Sequence, residues 1–431
     1  MYSYKFTFLA LTDTISFEFK SENRELVEDW SKELMFIFAK IEDETGKVIV
    51  EAFQQKNEEK VLKINEFIDK YKTKLPQLNA VSAYFRKLID KEYFYFLPNL
   101  KLDTFQNIQL YDHLRAISEG KDIEEVKSQT SELFEDLLTK YSIASFGHKR
   151  TYIGIKNKEE RICRFCNNTK KPTTYESEAH AISEALGNKT IILFEECDKC
   201  NNDFSRTIEP DIIQYLSLFR TFFDVKGKGG SKKFKGENFE LENEGNIKLS
   251  FTSIEDRPEI NTLPYKLKLE AKEKIAFQNI YKSLCKFFLS VIKTEYLENF
   301  TETIKWINGD LEINKLPLIG EMISYHSFNK QPKITTFIRK TDDKTIPYAV
   351  GEFYFTCKVF AFIIPLAGNE ETNFTEKENY DHYWNTFQHF KKSKGWVFMD
   401  YSNNEKKKFI LNLTFNKEEK NDKKNKNENI Q

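Results

Sequence analysis

Residues 161–209 read RICRFCNNTKKPTTYESEAHAISEALGNKTIILFEECDKCNNDFSRTIE, and the fold and the chemistry of the chain both depend on this stretch. Two Cys-x-x-Cys pairs lie near its ends: Cys163 with Cys166, and Cys197 with Cys200. One histidine, His180, lies between the pairs, and Asn201 follows the last cysteine directly.

The spacing of the four cysteines predicts a metal site. A Cys-x-x-Cys unit places two thiolates where one ion can bind both, and two units supply four sulfur ligands. Zn²⁺ favours such a tetrahedral set, which leaves no open position for chemistry. In a reducing compartment disulfides do not persist, so pairing of these thiols is disfavoured. We expect a structural zinc at Cys163, Cys166, Cys197 and Cys200, and folding of the segment that depends on it.

The residues between the pairs predict a small hairpin followed by a helix. Residues 178–182 and the apolar run 190–195 are each typical of a strand, and Gly187–Asn188 supplies a turn between them. A helix is expected over 201–207, just after the last cysteine. The predicted order is strand, loop, strand and helix, held together at its base by the metal.

The rest of the chain predicts an α+β, multidomain protein. A length of 431 residues exceeds one typical core, and 39 phenylalanines allow a well-filled interior. Alternating residues at the N-terminus predict a hairpin followed by amphipathic helices, and residues 316–367 predict strands in an antiparallel sheet. A final hairpin is expected over 395–415. The expected parts are these: a mainly helical module at 1–150, the zinc module at 151–225, a Gly/Lys-rich linker at 226–238, an α+β domain at 239–416 and a disordered tail at 417–431.

Charge and hydropathy bound the location of the protein. The net charge of −1 says nothing about partners. Residues 1–20 lack the basic and then apolar layout of a signal peptide, and the longest apolar run, near residues 359–366, is too short to cross a bilayer. We expect a cytoplasmic protein that makes no membrane contact, and we leave a protein partner or a homo-oligomer open.

The segments CRFC, EAHAISEALGNK and ECDKCNNDF together resemble the HNH (ββα-metal) endonucleases that carry a Cys₄ zinc in a treble clef. The resemblance covers about residues 161–223. It rests on the cysteine spacing, on the histidine in the first strand and on the asparagine beside the last cysteine. It implies a ββα nuclease module within a larger chain.

The resemblance implies a role for each matching residue. His180 matches the general base that takes a proton from the attacking water, a task that suits neutral imidazole near pH 7. Asn201 matches the residue at the helix start that binds the catalytic ion, Mg²⁺ or Mn²⁺. Asn188 matches the loop asparagine that positions the histidine. This ion would differ from the zinc, because hard cations prefer oxygen ligands.

The chain also departs from the family pattern. The acidic residue that often precedes the histidine is Ala179 here, and the proline that often follows three positions later is Ser183. Residues two apart in a strand share a face, so Glu178 and His180 would point the same way. Glu178 is therefore either a ligand or partner of the divalent ion, or a plain surface carboxylate. The third residue of the motif stays open among Asn202, Asp203 and Glu209.

A basic, glycine-rich segment follows at 226–236 and has two interpretations. It is either a solvated linker or a flexible clamp on a phosphate backbone, since lysines that neutralise phosphates give sequence-independent affinity. Its lysines are Lys226, Lys228, Lys232, Lys233 and Lys235.

Two functions from different classes remain. The first is a metal-dependent endonuclease that cuts DNA, with RNA as the weaker alternative, and a place in prokaryotic antiviral defence would follow by family analogy. The second is a non-catalytic Cys₄ zinc module that binds nucleic acid or protein. Cleavage of plasmid in the presence of Mg²⁺ or Mn²⁺ separates them.

Overall fold

The computed structural model of the chain describes residues 1–42, 47–100, 102, 104–147, 149–227, 233–252, 265–324 and 329–415. It mixes helices with antiparallel sheets, so the predicted α+β class is confirmed. The chain divides into two compact units, Met1–Leu138 and Thr139–Gln431. The predicted tail at 417–431 lies outside the described residues. Among those residues, no helix combines the length and the apolar character that crossing a membrane requires.

The first unit is a four-stranded sheet with helices packed on it. Its strands are β1 (Tyr2–Ala10), β2 (Thr14–Ser21), β3 (Ala39–Ile41), β4 (Val48–Val50), β5 (Phe53–Gln55) and β6 (Tyr93–Pro98). Its helices are α1 (Arg24–Phe36), α2 (Glu58–Tyr71), α3 (Leu78–Lys87), α4 (Thr104–Glu119) and α5 (Ile123–Lys140). The strand order is β2-β1-β6-β5, and β1 and β2 form the predicted N-terminal hairpin.

Phenylalanine side chains on one face of that sheet form the core of the first unit. Phe8 is fully buried, and its ring lies 5.1 Å from that of Phe96 and 5.2 Å from that of Phe85. In β1 and β2 the apolar residues alternate with polar ones, so each strand turns one face to the core and one to water.

The second unit contains the cysteine pairs and the rest of the chain. Its strands are β7 (Tyr141–Phe146), β8 (Thr151–Ile153), β9 (Ala179–His180), β10 (Ile191–Leu193), β11 (Phe234–Lys235), β12 (Phe239–Asn243), β13 (Ile247–Phe251), β14 (Tyr265–Glu270), β15 (Ile275–Ala276), β16 (Ile319–Ile323), β17 (Asn329–Arg339), β18 (Ala349–Thr356), β19 (Lys358–Ile363), β20 (Val397–Met399), β21 (Lys406–Lys407) and β22 (Ile410–Phe415). Its α-helices are α6 (Asp198–Thr207), α7 (Glu209–Tyr215), α8 (Ser217–Phe222), α9 (Phe277–Val291), α10 (Thr301–Asn308), α11 (Lys377–Thr386) and α12 (Gln388–Lys392). Single-turn or irregular 3₁₀ segments lie at Lys158–Glu160, Glu184–Leu186 and Thr294–Phe300.

A six-stranded antiparallel sheet and helix α9 form the centre of the second unit. The strand order is β20-β16-β19-β18-β17-β7. Helix α9 is apolar along most of its length and is buried on nearly all sides, as a helix inside a core must be. The Phe287 ring of α9 lies 5.5 Å from the Phe353 ring of β18. One hydrophobic cluster runs from Ile153 to Phe409 and joins the cysteine segment to this sheet.

Two features of the second unit differ from the sequence-based expectations. Strand β7 pairs with β17, so residues 141–146 belong to a sheet of the second unit, although the sequence grouped them with the first module. The final hairpin predicted over 395–415 is wrong. Strands β20, β21 and β22 pair instead with β16, β15 and β14, because long-range partners supply their hydrogen bonds.

Candidate active site and metal centre

The four cysteines lie together as a zinc site requires. Their sulfur atoms all lie within 4.8 Å of one another, and the four residues are buried. Cys166 Sγ and Cys197 Sγ are 3.7 Å apart, and none of the four forms a disulfide. Zinc–sulfur bonds of about 2.3 Å in a tetrahedron place sulfurs roughly 3.8 Å apart. The donor set and its spacing therefore fit a structural Zn²⁺.

Backbone geometry places these thiols. Asn168, in the left-handed region at a φ of 60°, accepts a hydrogen bond at Oδ1 from the Cys163 N–H, at 2.9 Å. The Tyr175 hydroxyl donates to the same oxygen at 2.6 Å. Cys197 is the residue before the first turn of α6, and Cys200 lies in that turn. The first pair is thus fixed by a turn and the second by a helix start.

The predicted strand, loop, strand and helix are all present between and after the cysteine pairs. Strands β9 and β10 are antiparallel, with Ile192 opposite His180. The helix α6 begins at Asp198, three residues earlier than expected. The sequence reasoning missed the third strand, β8, which pairs in parallel with β10. It lies at Thr151–Ile153, before the first cysteine pair.

His180 lies at the surface edge of this small sheet. Its side chain is 19% exposed, and Nε2 lies 4.0 Å from Glu184 Oε2. The neighbouring Ala179 is buried, whereas Glu178 is exposed and lies 4.0 Å from Arg150. The imidazole is therefore not packed into the hydrophobic interior. Glu184 is a carboxylate near His180 that the sequence reasoning did not single out, although it lies four residues along the chain.

Asn188 fixes the loop between β9 and β10. It is fully buried, and its Nδ2 donates to the carbonyls of Ile182, at 2.8 Å, and Ile191, at 3.0 Å. Its Oδ1 accepts from the N–H groups of Thr190 and Ile191, both at 3.0 Å. The amide thus ties the end of one strand to the start of the other. These four contacts are to the backbone and involve no atom of the imidazole.

Asn201 lies in α6 with a half-buried side chain, and its N–H donates to the Cys197 carbonyl at 3.0 Å. The carboxylates nearby are already engaged. Asp203 forms an ion pair with Lys170 at 2.9 Å, and Glu209 forms one with Lys286 at 3.2 Å. Asn202 is exposed.

A divalent ion near His180 would need oxygen donors from several side chains. In the part of the chain that the structure describes, one group of three or more His, Cys, Asp or Glu side chains lies close enough together to share an ion, and it consists of the four cysteines. Neither Glu178 nor His180 belongs to such a group. The oxygen donors of Asn201, Glu178 and Glu184 are of the kind that Mg²⁺ and Mn²⁺ prefer.

Two adjacent buried carboxylates follow β10, and the sequence reasoning missed both. Glu195 pairs with Arg164 at 3.0 Å, and Glu196 pairs with Lys286 at 3.1 Å. Burial raises the pKa of Glu196 to about 7, although Lys286 acts in the opposite direction. Burial lowers the pKa of Lys286, but Glu196 and Glu209 outweigh it and leave that pKa above its ordinary value. Glu195 and Arg164 are 31 residues apart, and Glu196 and Lys286 are 90 residues apart, so neither pairing gives a local signal in the sequence.

The predicted basic segment is only partly within the described residues. Lys228 and Lys232 lie outside them. Lys226 is exposed and lies 3.6 Å from Asp224. Lys233 pairs with Glu240 at 2.8 Å, and Lys235 pairs with the same carboxylate at 3.3 Å. Lys235 lies on the short strand β11 and Lys233 directly precedes that strand, and both lysines have acidic neighbours.

The comparison with protein families agrees with the geometry. Residues 163–217 match the family model described as HNH endonuclease, so the resemblance seen in the sequence is confirmed for this segment. The comparison with curated proteins gave no match, and neither did the comparison with solved structures. The hairpin and helix around the four cysteines are therefore the part of the chain with a defined class, since they match the HNH endonuclease family.

Proposed function

We propose that the chain is a metal-dependent endonuclease that hydrolyses phosphodiester bonds in DNA. The observation that carries this proposal is the position of His180. It lies, partly exposed, on a strand of a ββα unit whose four cysteines are close enough to share one zinc, within a segment that matches the HNH endonuclease family. A partly exposed imidazole can reach a water molecule beside a bound phosphate.

In this proposal His180 takes the proton from the attacking water. General-base catalysis of this kind contributes about 10²- to 10⁴-fold to a rate. Glu184, whose Oε2 lies 4.0 Å from His180 Nε2, would stabilise the imidazolium that forms. Asn188 acts at one remove, because its bonds to the Ile182 and Ile191 backbones fix the hairpin on which His180 lies.

A divalent ion, Mg²⁺ or Mn²⁺, would be held by the Asn201 side-chain oxygen, with Glu178 as a second candidate. When bound, such an ion supplies positive charge to the scissile phosphate and to the leaving oxygen. The zinc held by the four cysteines would have a structural role, because four thiolate ligands leave no coordination position for a substrate.

The lysines of 226–236 would contact the phosphate backbone. Lys226 is the strongest of the described candidates, because its distance to Asp224, 3.6 Å, is longer than the distances of Lys233 and Lys235 to Glu240, 2.8 and 3.3 Å. Lys228 and Lys232, although outside the described residues, lie within the same basic run of the sequence. A contact of this kind gives affinity without sequence preference.

A cleavage survey tests the proposal. Zinc-loaded protein is incubated with supercoiled plasmid, single-stranded DNA and RNA, each with Mg²⁺, with Mn²⁺ or with EDTA. We expect metal-dependent nicking of plasmid and weaker cleavage of RNA. Failure to cut any substrate with either ion would contradict the proposal.

A specific observation supports the second candidate, a non-catalytic zinc module that binds nucleic acid. The position before His180 is a buried alanine, and the acidic residue one step earlier in the chain, Glu178, lies next to Arg150. Binding that falls steeply with salt, without cleavage under any condition of the survey, would favour this candidate.

Antiviral defence in a prokaryotic cytoplasm is the proposed setting, by analogy with the family. Such a nuclease would restrict phage only while its catalytic residue is intact. Phage plating on cells that express the wild type or His180→Ala tests this, and equal plating on both would contradict it. A protein partner or a homo-oligomer would then be sought by light scattering.

A further inference from the structure

Helix α9 lies outside the segment that matches the family, yet the cysteine-bearing segment holds it at three places. At its start, Asp211 Oδ2 accepts from the Ala276 N–H at 3.1 Å and from Asn279 Nδ2 at 2.7 Å. At its end, Arg164 Nη1 donates to the carbonyls of Leu289, at 3.1 Å, and Ile292, at 2.6 Å. The helix therefore has a fixed position relative to the nuclease segment.

The third place is Lys286, in the middle of α9. Its ammonium lies 3.1 Å from Glu196 Oε2 and 3.2 Å from Glu209 Oε1, and it donates to the His180 carbonyl at 3.3 Å. The lysine side chain is 1% exposed. One ammonium thus reaches the strand of His180, the junction between β10 and α6, and the first turn of α7.

These three acceptors belong to the elements that form the proposed active site. The His180 carbonyl is part of β9, Glu196 directly precedes the zinc-binding Cys197, and Glu209 follows α6. A charge buried among them is costly unless it is fully paired, so the lysine and the two carboxylates constrain one another closely. A catalytic group misplaced by about 1 Å can lose on the order of 100-fold in rate.

We propose that Lys286 is a positioning residue of this nuclease, whose ammonium holds β9 at His180 in register with the start of α6. This inference rests on the proposed function. It assigns the positioning of a catalytic strand to a residue 69 positions beyond the end of the matching segment. The working nuclease would then include α9, and residues 163–217 alone would not suffice.

The test must separate position from charge balance, because Lys286→Met alone leaves two buried carboxylates unpaired. The informative variant is therefore the triple substitution Lys286→Met, Glu196→Gln and Glu209→Gln, which buries no charge at this place. The matched control is Lys282→Met, one turn earlier on α9, where the ammonium lies over the Trp306 ring at 5.5 Å. Each full-length protein is loaded with zinc and measured for zinc content, for cleavage of plasmid and for hydrogen exchange of residues 179–182.

We expect the triple variant to keep its zinc and its KM for DNA, and to lose about 10- to 100-fold in kcat. The exchange of the Ala181 N–H, which donates to the Ile191 carbonyl at 3.1 Å, should become faster. The control should match the wild type in all three measurements. A triple variant with wild-type kcat and wild-type exchange would overturn the proposal, and so would loss of zinc, since Lys286 would then support the whole unit.

The exchange measurement does not depend on activity. If the wild type cuts nothing, the proposed function fails, while faster exchange at 179–182 still shows that Lys286 holds β9. If the wild type cuts and the exchange is unchanged in the triple variant, only the inference about Lys286 fails.

Discussion

Each of the two units of the chain has an interior stabilised by a different kind of interaction. The core of the first unit consists mainly of phenylalanine rings in stacked and edge-on contact. Among the described residues of this unit, Asp112 is the one charged residue that is buried. In the second unit, four buried cysteines and several buried ion pairs surround the proposed active site. The buried charged residues there include Arg164, Glu195, Glu196, Glu209, Asp211 and Lys286.

The difference indicates which unit requires its side chains at defined positions and which unit requires only a stable core. Apolar packing is roughly proportional to the area buried and has little direction, so a core of phenylalanines tolerates small shifts. Ion pairs and metal ligands have defined distances and few alternative arrangements. The segment around His180 uses the second kind, and its apolar residues merge with a larger cluster that reaches Phe409.

Loss of zinc is expected to change the stability of the second unit more than any other change considered for either unit. Replacing Cys197 with Ser removes one of four ligands, and structural zinc sites carry about 10–16 kcal/mol of apparent binding free energy in small zinc domains. We expect the second unit to lose its cooperative unfolding transition and its bound zinc, while the first unit keeps its transition. Calorimetry with zinc analysis measures both, and Cys357→Ser, a buried cysteine outside the cluster, is the matched control.

The converse change affects the core of the first unit. Phe8 is fully buried between aromatic rings, so Phe8→Ala should cost about 3–5 kcal/mol of unfolding free energy. Urea denaturation of the first unit measures this, and zinc content should equal that of the wild type. A cost below about 1 kcal/mol, or a variant that loses its zinc, would contradict the assignment of Phe8 to a separate core.

The next effect is the pH dependence of the second unit. Burial raises the pKa of Glu352 in β18 from its ordinary value of 4.5 to about 7. Below pH 4.5 the carboxyl is protonated in both states and costs nothing. Between pH 4.5 and 7 only the unfolded chain releases the proton, so stability falls as pH rises and the full cost applies above pH 7.

This cost is about 3 kcal/mol, from a pKa difference of about 2.5 units. Glu352→Gln keeps an acceptor for the Tyr354 hydroxyl, now 2.6 Å from Glu352 Oε1, and carries no charge. We expect it to be more stable than the wild type at pH 8 and equal to it near pH 4.5. Unfolding free energies of the second unit at the two pH values test this, and an equal difference at both would refute the pKa assignment.

The smallest of these effects concerns the loop of Asn188. Asn188→Ala removes four hydrogen bonds to the backbone, at a cost of about 1–3 kcal/mol. The Ile182 carbonyl and the N–H groups of Thr190 and Ile191 lose this partner in the interior, whereas the Ile191 carbonyl keeps the Ala181 N–H. Cleavage should fall with it, because the hairpin that bears His180 loses its tie. Asn246→Ala, at an exposed turn of the second unit, is the control for both measurements. Unchanged stability in Asn188→Ala would contradict the role of Asn188 in holding the hairpin that bears His180.

The local features of the site were predictable from the sequence. Cys-x-x-Cys spacing, the apolar run 190–195 and the turn at Gly187–Asn188 act over a few residues, and they predicted the clustering of the four cysteines, strand β10 and the loop before it. The N-terminal hairpin was predictable for the same reason, because alternation in β1 and β2 is visible along each strand.

The remaining features depend on distant partners and had no local signal. Strand β8 joins β10 from outside the cysteine segment, and β20–β22 pair with strands far earlier in the chain. The contact between Lys286 and the His180 carbonyl spans 106 residues. A lysine in an apolar helix gives no indication, in the sequence, of which carboxylates it pairs with.

The most direct test of the account is the single-turnover rate of plasmid cleavage by His180→Ala. The wild type, His180→Ala and His382→Ala, an exposed histidine elsewhere in the second unit, are loaded with zinc to equal content and assayed with Mn²⁺. The account predicts a loss of about 10²- to 10⁴-fold for His180→Ala and none for His382→Ala. A His180→Ala protein that retains its zinc and cuts at the wild-type rate would contradict the account.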